Sequence, residues 1–394
     1  MRRRDLLGLL AASCSAPGQV LAAARDAVAS GQADGRRLIL VELAGANDGL
    51  NTLVPWRNDD YRRLRPTLAL GADDTIPWHD DLALHNGLAP LMAASEAGEL
   101  AMVQGLGYPR PNRSHFQSIA LWERAGDGHR VQRRTGWMTH AIEHELGQRR
   151  PDVDGMSLAG GMSLFASESG RWLSAESVAQ LLDGTESLAV TQKIDNTIVS
   201  RFAARYASLD RTLAGLHAKL LKAPEVDAFD TGALGDQLRR VTRFIGAGLD
   251  VPVYRVRLAG FDTHANQRSR HARLLRELST SLATFRSRLI AMGEWRSTVI
   301  VTYSEFGRRA AENASAGTDH GTAAPHLVLG GRINGGLYGD APDLAESSLV
   351  DGDPIHTLDY RALYSRLLAG ALGANDAFLA SHADRRLDRL VGLA

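Results

Sequence analysis

The sequence predicts an α/β fold whose central sheet is mainly parallel. Runs of apolar, often β-branched residues recur along the chain, as is typical of strands that are buried on both faces. Stretches with helical spacing separate these runs, and a helical connection between two strands favours parallel pairing. Each run ends in a glycine-containing turn and a polar cluster. The runs are Arg37–Leu43, Leu100–Leu106, Val251–Ala259 and Thr298–Tyr303.

Composition excludes several classes of protein. The chain has 394 residues, with 45 Lys and Arg residues against 45 Asp and Glu residues. This balance gives no electrostatic footprint for nucleic acid, so we expect no nucleic-acid partner. Because α/β folds of this size are often undivided, we predict a single domain over residues 36–394. Cys14 is the sole cysteine, which excludes an intramolecular disulfide, a thiolate zinc site and an iron–sulfur cluster.

The N-terminus, residues 1–24, has the pattern of an export signal. Basic residues precede the short apolar run Leu6–Ala12, and small residues follow it, as in cleaved signal peptides. The arginine pair ahead of this run resembles a twin-arginine signal, which predicts the twin-arginine export machinery as a partner and a periplasmic or secreted mature protein. A disordered basic tail and lipid attachment at Cys14 are the alternatives. Residues 25–35 are predicted to be a linker, and no segment is long and apolar enough for a stable membrane span.

The first strand places an aspartate at the edge of the sheet. Arg37–Leu43 runs into the turn Ala44–Gly49, whose glycine and asparagine residues tolerate tight backbone conformations. Asp48 therefore follows the carboxyl end of a strand, where open α/β sheets bind their ligands. We interpret Asp48 as a candidate metal ligand, and an Asn-Asp-Gly turn without a function is the alternative.

The second strand leads to a serine and a histidine. A predicted helix, Leu88–Glu99, precedes Leu100–Leu106, and a loop rich in proline and glycine follows. Ser114 then suits the N-cap of the next helix. Because a helix N-terminus also stabilises an anion, Ser114 beside a metal is a candidate nucleophile, with capping alone as the alternative. His115 either assists this serine or is a surface residue.

The middle of the chain, about residues 140–250, is predicted to be a largely helical cover on one side of the sheet. Ile194–Leu221 and Ala233–Leu249 have helical apolar spacing with charged faces. Met156–Gly161 is a glycine-rich turn region.

The third strand ends in an aspartate and a histidine. Val251–Ala259 alternates with a period of two, and Asp262 and His264 follow it in a loop where both can turn toward one ion. A long amphipathic helix, Arg273–Met292, then leads to the fourth strand.

The fourth strand, Thr298–Tyr303, runs into Glu305, and Asp319 and His320 follow in a glycine-flanked loop. Carboxylate oxygen and imidazole nitrogen are ligands that zinc and manganese accept. The remaining predicted elements are a short strand, Pro325–Gly331, and a closing helix, His356–Leu372.

Parallel pairing would bring these polar clusters together, because the carboxyl ends of parallel strands lie along one edge of the sheet. Carboxylates and imidazoles massed at one edge repel or desolvate one another unless a cation compensates them. The sequence therefore predicts a divalent-metal site at this edge. Ordinary polar loops at the strand ends are the alternative.

Several motifs between Gly45 and Gly339 together resemble one family. They are GANDGLNTLVP, GYPRPNRSHF, the pair Gly136-Trp137, GFDTHANQ, SEFGRRAAENASAGTDHG and GGLYG, with a weaker match at HTLDYRALY. In these motifs the chain resembles the exported family called "domain of unknown function 1501", which is grouped with the alkaline phosphatase and sulfatase superfamily. The resemblance implies an alkaline phosphatase-like α/β/α sandwich with one or two divalent metal ions, zinc, manganese or calcium, at the sheet edge. It also implies hydrolysis of phosphate or sulfate esters, with a small-molecule or glycan ester as the substrate.

The resemblance assigns roles to residues that match the motifs. Asp48 would be the metal carboxylate after the first strand, and Ser114 would be the nucleophile. Asp262 and His264 would be the Asp/His pair of one metal. Superfamily members usually have three residues between the members of this pair, whereas this chain has one.

Two registers stay open for the remaining ligands. In the first, which we favour, Glu305 replaces the usual aspartate and His320 is the last histidine. In the second, Asp319 and His320 are the usual Asp-His pair on a longer loop, and the last histidine is His326 or His356.

The implied reaction is attack by Ser114 on phosphorus or sulfur in line with the leaving group. Arg113 or Arg308 would steady the equatorial oxygens, since a guanidinium matches them bidentately. A solvated or structural ion pair is the alternative for each arginine. The alternative function is a non-catalytic exported binding or assembly factor on the same fold. A metal-dependent peptidase has less support, because the sequence has no HExxH helix.

Overall fold

The apolar runs of the sequence form the strands of a central sheet in a computed structural model of the chain. The structure describes residues 35–128, 135–145, 149, 151–161, 163–166, 171–174, 212–229 and 231–392. The predicted export signal and the linker up to residue 34 lie outside the described residues. Arg37–Ala394 forms one compact unit.

The strands belong to a large sheet and a small one. The large sheet has the order β11-β5-β10-β9-β1-β8-β6-β7, with β12 also paired to β5, and the small sheet has the order β2-β4-β3. The bounds are β1 Arg37–Ala44, β2 Leu53–Val54, β3 Thr75–His79, β4 Leu82–His85, β5 Leu100–Gly107, β6 Gly155–Ser157, β7 Trp172–Leu173, β8 Val253–Ala259, β9 Thr298–Tyr303, β10 Ala324–Gly330, β11 Gly336–Tyr338 and β12 Leu358–Asp359.

Parallel pairing dominates the large sheet. β1 pairs in parallel with β8 and β9 on its two sides, and β5 pairs in parallel with β11 and β12. Among the described strands of this sheet, only β10 runs antiparallel to its neighbours, β5 and β9. All eight residues of β1 are buried, as expected for a central strand covered on both faces. The predicted mainly parallel sheet is confirmed.

Helices of very different length accompany the strands. Residues 212–220 are helical. The other α-helices that the structure describes are α1 Asp59–Leu64, α2 Met92–Glu96, α3 His115–Glu123, α4 Trp137–Glu145, α5 Ala233–Gly246, α6 Gln267–Ala291, α7 Tyr360–Leu367 and α8 Ala377–Ala380.

The helices cover both faces of the large sheet. Side chains alternate along β1, so Ile39 and Val41 lie in one apolar cluster and Leu38 and Leu40 lie in another. The first cluster includes buried residues of α5 and α6, and the second includes buried residues of α3, α4 and α7. The result is the three-layer α/β/α sandwich that the resemblance implied.

The middle of the chain is less helical than predicted. β6 and β7 lie in this region, and they continue the sheet beyond β8 with parallel pairing. Neither strand has a long apolar run, which is why periodicity did not reveal them. The predicted helix Ile194–Leu221 lies outside the described residues up to residue 211, and the described part is helical over 212–220.

Two predicted helices begin or end differently in the structure. The stretch predicted as Leu88–Glu99 is a 3₁₀ helix, Asn86–Leu91, followed by α2, and it contains Pro90, which lacks a backbone donor. The closing helix starts at Tyr360, because β12 takes up the residues before it, and it ends in a π-helix, Leu368–Leu372. Within the described residues, no helix has the length and apolar character that crossing a membrane requires.

Candidate metal centre

The turns after β1, β8 and β9 meet at the carboxyl edge of the sheet. Gly45 has a φ of 110°, and its N–H donates to Glu305 Oε1 at 2.9 Å. The N–H of Ala46 donates to Glu305 Oε2, also at 2.9 Å. A Cβ on Gly45 would lie 2.3 Å from the backbone nitrogen of Asp262. Glycine at this position therefore lets the turns after β1 and β8 pack against each other.

Four potential ligand atoms converge at this edge. They are the Nε2 atoms of His115, His264 and His320 and the Oδ1 atom of Asp262, and we call these residues the His-Asp cluster. His320 Nε2 lies 3.1 Å from His115 Nε2 and 3.0 Å from His264 Nε2. Asp262 Oδ1 lies 3.0 Å from Nε2 of His264, 3.4 Å from that of His320 and 3.6 Å from that of His115.

The second ring nitrogen of each imidazole faces an oxygen acceptor. His320 Nδ1 lies 2.8 Å from the carbonyl oxygen of Arg113. His264 Nδ1 lies 3.1 Å from Asp319 Oδ1, and His115 Nδ1 lies 3.4 Å from Glu305 Oε1. Since these oxygens only accept hydrogen bonds, we infer that each Nδ1 carries the proton and each Nε2 presents its lone pair to the cluster centre.

The cluster fits a divalent metal ion. Three imidazole lone pairs and a carboxylate oxygen at these distances repel one another unless a cation lies between them. Zinc accepts three nitrogens and one oxygen, and atoms about 2.0–2.1 Å from a tetrahedral zinc ion lie roughly 3.3 Å apart. Five of the six distances between cluster atoms range from 3.0 to 3.6 Å. His115, Asp262 and His320 form the tightest group, with ligand atoms that all lie within 4.8 Å of one another. The Asp262 side chain is 46% exposed, so the cluster is open to a ligand from solvent.

Glu305 and Asp319 lie one step outside the cluster. The Glu305 carboxylate is buried and is held by the N–H groups of Gly45 and Ala46 and by the Ser304 hydroxyl, 3.0 Å from Oε2. Its hydrogen bond raises the pKa of His115. Asp319 accepts from Asn313 Nδ2 at 3.0 Å as well as from His264. Both carboxylates thus orient imidazoles, as the outer partners of metal-bound histidines do.

Arg308 donates hydrogen bonds to Asp262 and to the surrounding backbone carbonyls. Its buried guanidinium donates from Nε to the Ala46 carbonyl at 2.8 Å and from Nη1 to the Thr318 carbonyl at 2.8 Å. Nη2 donates to Asp262 Oδ1 at 2.6 Å, and also to the carbonyls of Gly45 and Phe261. Although burial raises the pKa of Asp262, the hydrogen bond and charge of Arg308 lower it below its ordinary value. These internal bonds involve the Nε, Nη1 and Nη2 atoms of Arg308.

Arg113 and Ser114 lie at the start of α3, next to His115 in the chain. The Arg113 guanidinium pairs with Asp353, and its side chain is 37% exposed. Ser114 occupies the N-cap position of α3, but its side chain makes no capping hydrogen bond. Its N–H donates to Asn112 Oδ1 at 2.8 Å, and its hydroxyl has no hydrogen-bond partner among the described residues. The alternative that this hydroxyl only caps the helix is therefore not supported by a capping hydrogen bond.

A family model described as "Protein of unknown function (DUF1501)" matches residues 35–368, a span that includes the whole His-Asp cluster. The chain belongs to the DUF1501 family. No curated protein sequence matches it.

Solved structures similar to this DUF1501 protein include members of the alkaline phosphatase and sulfatase superfamily. One is the C-terminal periplasmic domain of EcEptC from Escherichia coli in complex with Zn, with 10% identity and a TM-score of 0.36 over 75% of this chain and 73% of that chain. Another is the PsFucS1 sulfatase from Pseudoalteromonas sp., with 10% identity and a TM-score of 0.39 over 87% of this chain and 74% of that chain. A third, from Vibrio parahaemolyticus, is described as a protein in the alkaline phosphatase superfamily. It has 10% identity and a TM-score of 0.36 over 78% of this chain and 63% of that chain.

Asp48 of this DUF1501 protein lies apart from the His-Asp cluster. It is fully buried, and Oδ2 accepts from Arg65 Nη1 at 2.6 Å and from Gln267 Nε2. Oδ1 has no hydrogen-bond partner among the described residues. Asp48 lies at the predicted edge of the sheet, and its carboxylate is paired with the buried guanidinium of Arg65.

Of the histidines in the two predicted registers, the structure brings His264 and His320 together. His320 lies in the cluster, whereas His326 is buried against Trp122, with ring centroids 5.4 Å apart. His356 lines a neighbouring cleft. His115, left open by the sequence, supplies the third imidazole. Its position directly after Ser114, beyond the carboxyl end of a strand, is the signal in the sequence that could have identified it.

Proposed function

We propose that this DUF1501 protein is an exported, metal-dependent hydrolase of phosphate or sulfate esters. The observation that carries the proposal is the convergence of three imidazole Nε2 atoms and the Asp262 carboxylate at an exposed edge of the sheet. The exposed edge admits an ester from solvent, either a small molecule or a glycan ester.

The His-Asp cluster would hold one divalent ion. Three nitrogens and one oxygen favour zinc, while calcium prefers oxygen ligands alone. Asp319 and Glu305 are engaged with His264 and His115, so they support this site and do not form a second one. When bound, such an ion polarises the ester oxygen and lowers the pKa of a nucleophile beside it.

Ser114 is the proposed nucleophile. Its hydroxyl is exposed, free of a capping bond and adjacent in the chain to His115. Attack by Oγ on phosphorus or sulfur forms a new ester bond to the serine as the bond to the leaving alcohol breaks, and the hydroxyl proton passes to the leaving alcohol oxygen. Water then hydrolyses the serine ester, which releases phosphate or sulfate and restores the hydroxyl. The backbone N–H groups at the N-terminus of α3 favour the negative charge of the transferred group.

The two arginines have different proposed roles. Arg113 is partly exposed, is paired with Asp353, and is the proposed partner of the equatorial oxygens of a bound ester. Arg308 is a positioning residue, because its N–H groups are committed to backbone carbonyls and to Asp262.

The deciding experiment compares the metal content of the mature wild-type protein with that of the Asp262→Ala variant. Both proteins are purified without chelator, and zinc or manganese is added before the measurement. We expect about one equivalent in the wild type and loss of it in the variant, followed by turnover of aryl phosphates or aryl sulfates in the wild type only. His79→Ala, on an exposed strand residue, is the matched control. A wild-type protein without metal would contradict the proposal and favour the non-catalytic binding or assembly factor.

Export is proposed from the sequence of residues 1–24. Replacing Arg3 and Arg4 by lysine keeps the charge but removes the guanidinium pair that the twin-arginine pathway reads. We expect the variant to remain in the cytoplasm of a host with this pathway, as measured by cell fractionation. Equal export of both forms would contradict the twin-arginine route.

A further inference from the structure

A cleft of about 540 Å³ opens beside the His-Asp cluster. Its walls are residues 110–113 before α3, Thr322, and residues 350–356 before β12, apart from residue 352. This volume falls in the range of about 300–1,000 Å³ that is typical of small-molecule sites.

The cleft and the cluster share a wall. Arg113 lines the cleft, and its carbonyl oxygen accepts the hydrogen bond from His320 Nδ1 at 2.8 Å. Thr322 also lines the cleft, and its hydroxyl donates to the carbonyl of Pro354 on the opposite loop. A molecule in the cleft therefore lies against the same segments that carry His115 and His320.

Apolar side chains are exposed in the cleft. Val350 is 57% exposed and Ile355 is 48% exposed. They are two of only six large apolar side chains that the described residues expose, and both line this one cleft together with Pro111 and Pro354. Apolar side chains gathered beside a site, unlike scattered ones, indicate a binding surface.

The charges of the lining balance. Arg110 and Arg113 line the cleft together with Asp351 and Asp353, so two cations and two anions line it. Asp353 is buried and is paired with Arg113 and with Arg309, whose Nε lies 3.5 Å from Oδ1. The lining therefore offers no net charge to a ligand, which suits an uncharged group better than an anion.

We propose that this cleft binds an apolar, uncharged alcohol portion of the ester substrate while the ester group lies at the His-Asp cluster. The inference rests on the proposed ester hydrolysis and narrows its substrate class to phosphate or sulfate esters of alkyl or aryl alcohols.

The test measures the Kd of methyl-, propyl- and butylphosphonate for the zinc-loaded mature protein by isothermal titration calorimetry. The protein does not hydrolyse these phosphonates. Burial of each added methylene is expected to lower Kd about threefold to fourfold. Val350→Ser and Ile355→Ser should flatten this dependence, and Val350→Thr, which keeps the shape of the side chain, should reduce it. Ile290→Ser is the control, because Ile290 is also exposed but lies near the far end of α6, about 35 Å along the helix from its start.

The outcomes separate the two proposals. Equal Kd values for the three phosphonates, with ester hydrolysis intact, would overturn the cleft inference and leave the proposed function standing. A chain-length dependence that the serine variants remove, in a protein that hydrolyses no ester, would support the cleft and overturn the hydrolase. If no phosphonate binds and no ester is hydrolysed, both proposals fall.

Discussion

His115 and Glu305 are joined through the imidazole Nδ1 atom, which lies 3.4 Å from Glu305 Oε1. His115 begins α3 after β5, whereas Glu305 follows β9, and β10 lies between these two strands in the sheet. Glu305 is held in turn by the N–H groups of the turn after β1. One carboxylate thus fixes an imidazole of the cluster relative to the central strand.

Glu305→Gln is expected to weaken zinc binding by about 10- to 100-fold, the usual effect of losing the outer partner of a metal-bound histidine. The amide NH₂ would face one of the backbone N–H groups from which the carboxylate now accepts a hydrogen bond. Competition with a chromophoric chelator measures the affinity, and circular dichroism confirms the fold. Glu96→Gln, on an exposed residue of α2, should leave affinity unchanged. Equal affinities for all three proteins would remove Glu305 from the site.

Ser114→Ala is expected to abolish ester hydrolysis while zinc content stays at the wild-type level. The free energy of unfolding should change by less than about 0.5 kcal/mol, because the hydroxyl makes no capping bond. Asp359→Ala is the contrasting control, since Asp359 does cap α7 by accepting from the Arg361 N–H at 2.9 Å. That variant should lose about 1 kcal/mol in urea denaturation. Full turnover by Ser114→Ala would exclude the serine as nucleophile.

Asp48→Ala is expected to reduce stability without removing the metal. It leaves the buried Arg65 charge uncompensated, and breaking such a pair typically costs about 3–5 kcal/mol. Chemical denaturation of the metal-free protein measures this loss, and metal analysis of the folded fraction should still give wild-type stoichiometry.

Asp60→Ala provides the matched control for Asp48, because the pair of Asp60 with Arg63 is exposed and should contribute at most about 1 kcal/mol. Loss of metal in Asp48→Ala, with unfolding unchanged, would show that Asp48 is a ligand after all.

His326 is expected to make the protein sensitive to acid. Burial lowers the pKa of His326 to about 3, and its ring nitrogens have no hydrogen-bond partner among the described residues. In the unfolded chain, His326 binds a proton below about pH 6.5, whereas in the folded chain it does so only below about pH 3. Protons therefore favour unfolding between these two pH values. The stability contributed by the neutral ring is thus present above about pH 6.5 and is lost as the pH falls.

The measurement compares urea denaturation at about pH 7 and pH 5, with chelator present, for wild type and His326→Leu. The variant should lose about 2 kcal/mol less than the wild type over this interval, because it lacks one proton uptake on unfolding. Burial also lowers the pKa of His85 and of His271 to about 4, so acid sensitivity should decrease without disappearing. His79→Leu, at an exposed residue, serves as the control. Identical losses in wild type and His326→Leu would contradict the assignment.

The sequence by itself determined the main strands and the edge at which the polar clusters meet. β9 has the predicted bounds, Thr298–Tyr303, and β1 extends the predicted strand by one residue. These runs are long, apolar and separated by helices, so local pattern and parallel topology lead to the same architecture. Asp262, His264 and His320 follow such strands, and the structure brings their ring nitrogens and carboxylate together.

Only the tertiary structure decided which of the edge residues face one another. His115 lies in the cluster, although the sequence left its role open. Asp48 lies outside the cluster, because its carboxylate pairs with Arg65, a residue in a segment without any motif. Glu305 became an outer partner because two backbone N–H groups, set by the turn at Gly45, hold its carboxylate. Periodicity records which residues are buried, whereas the direction of a loop side chain and the identity of its distant partner depend on contacts that form only when the chain is folded.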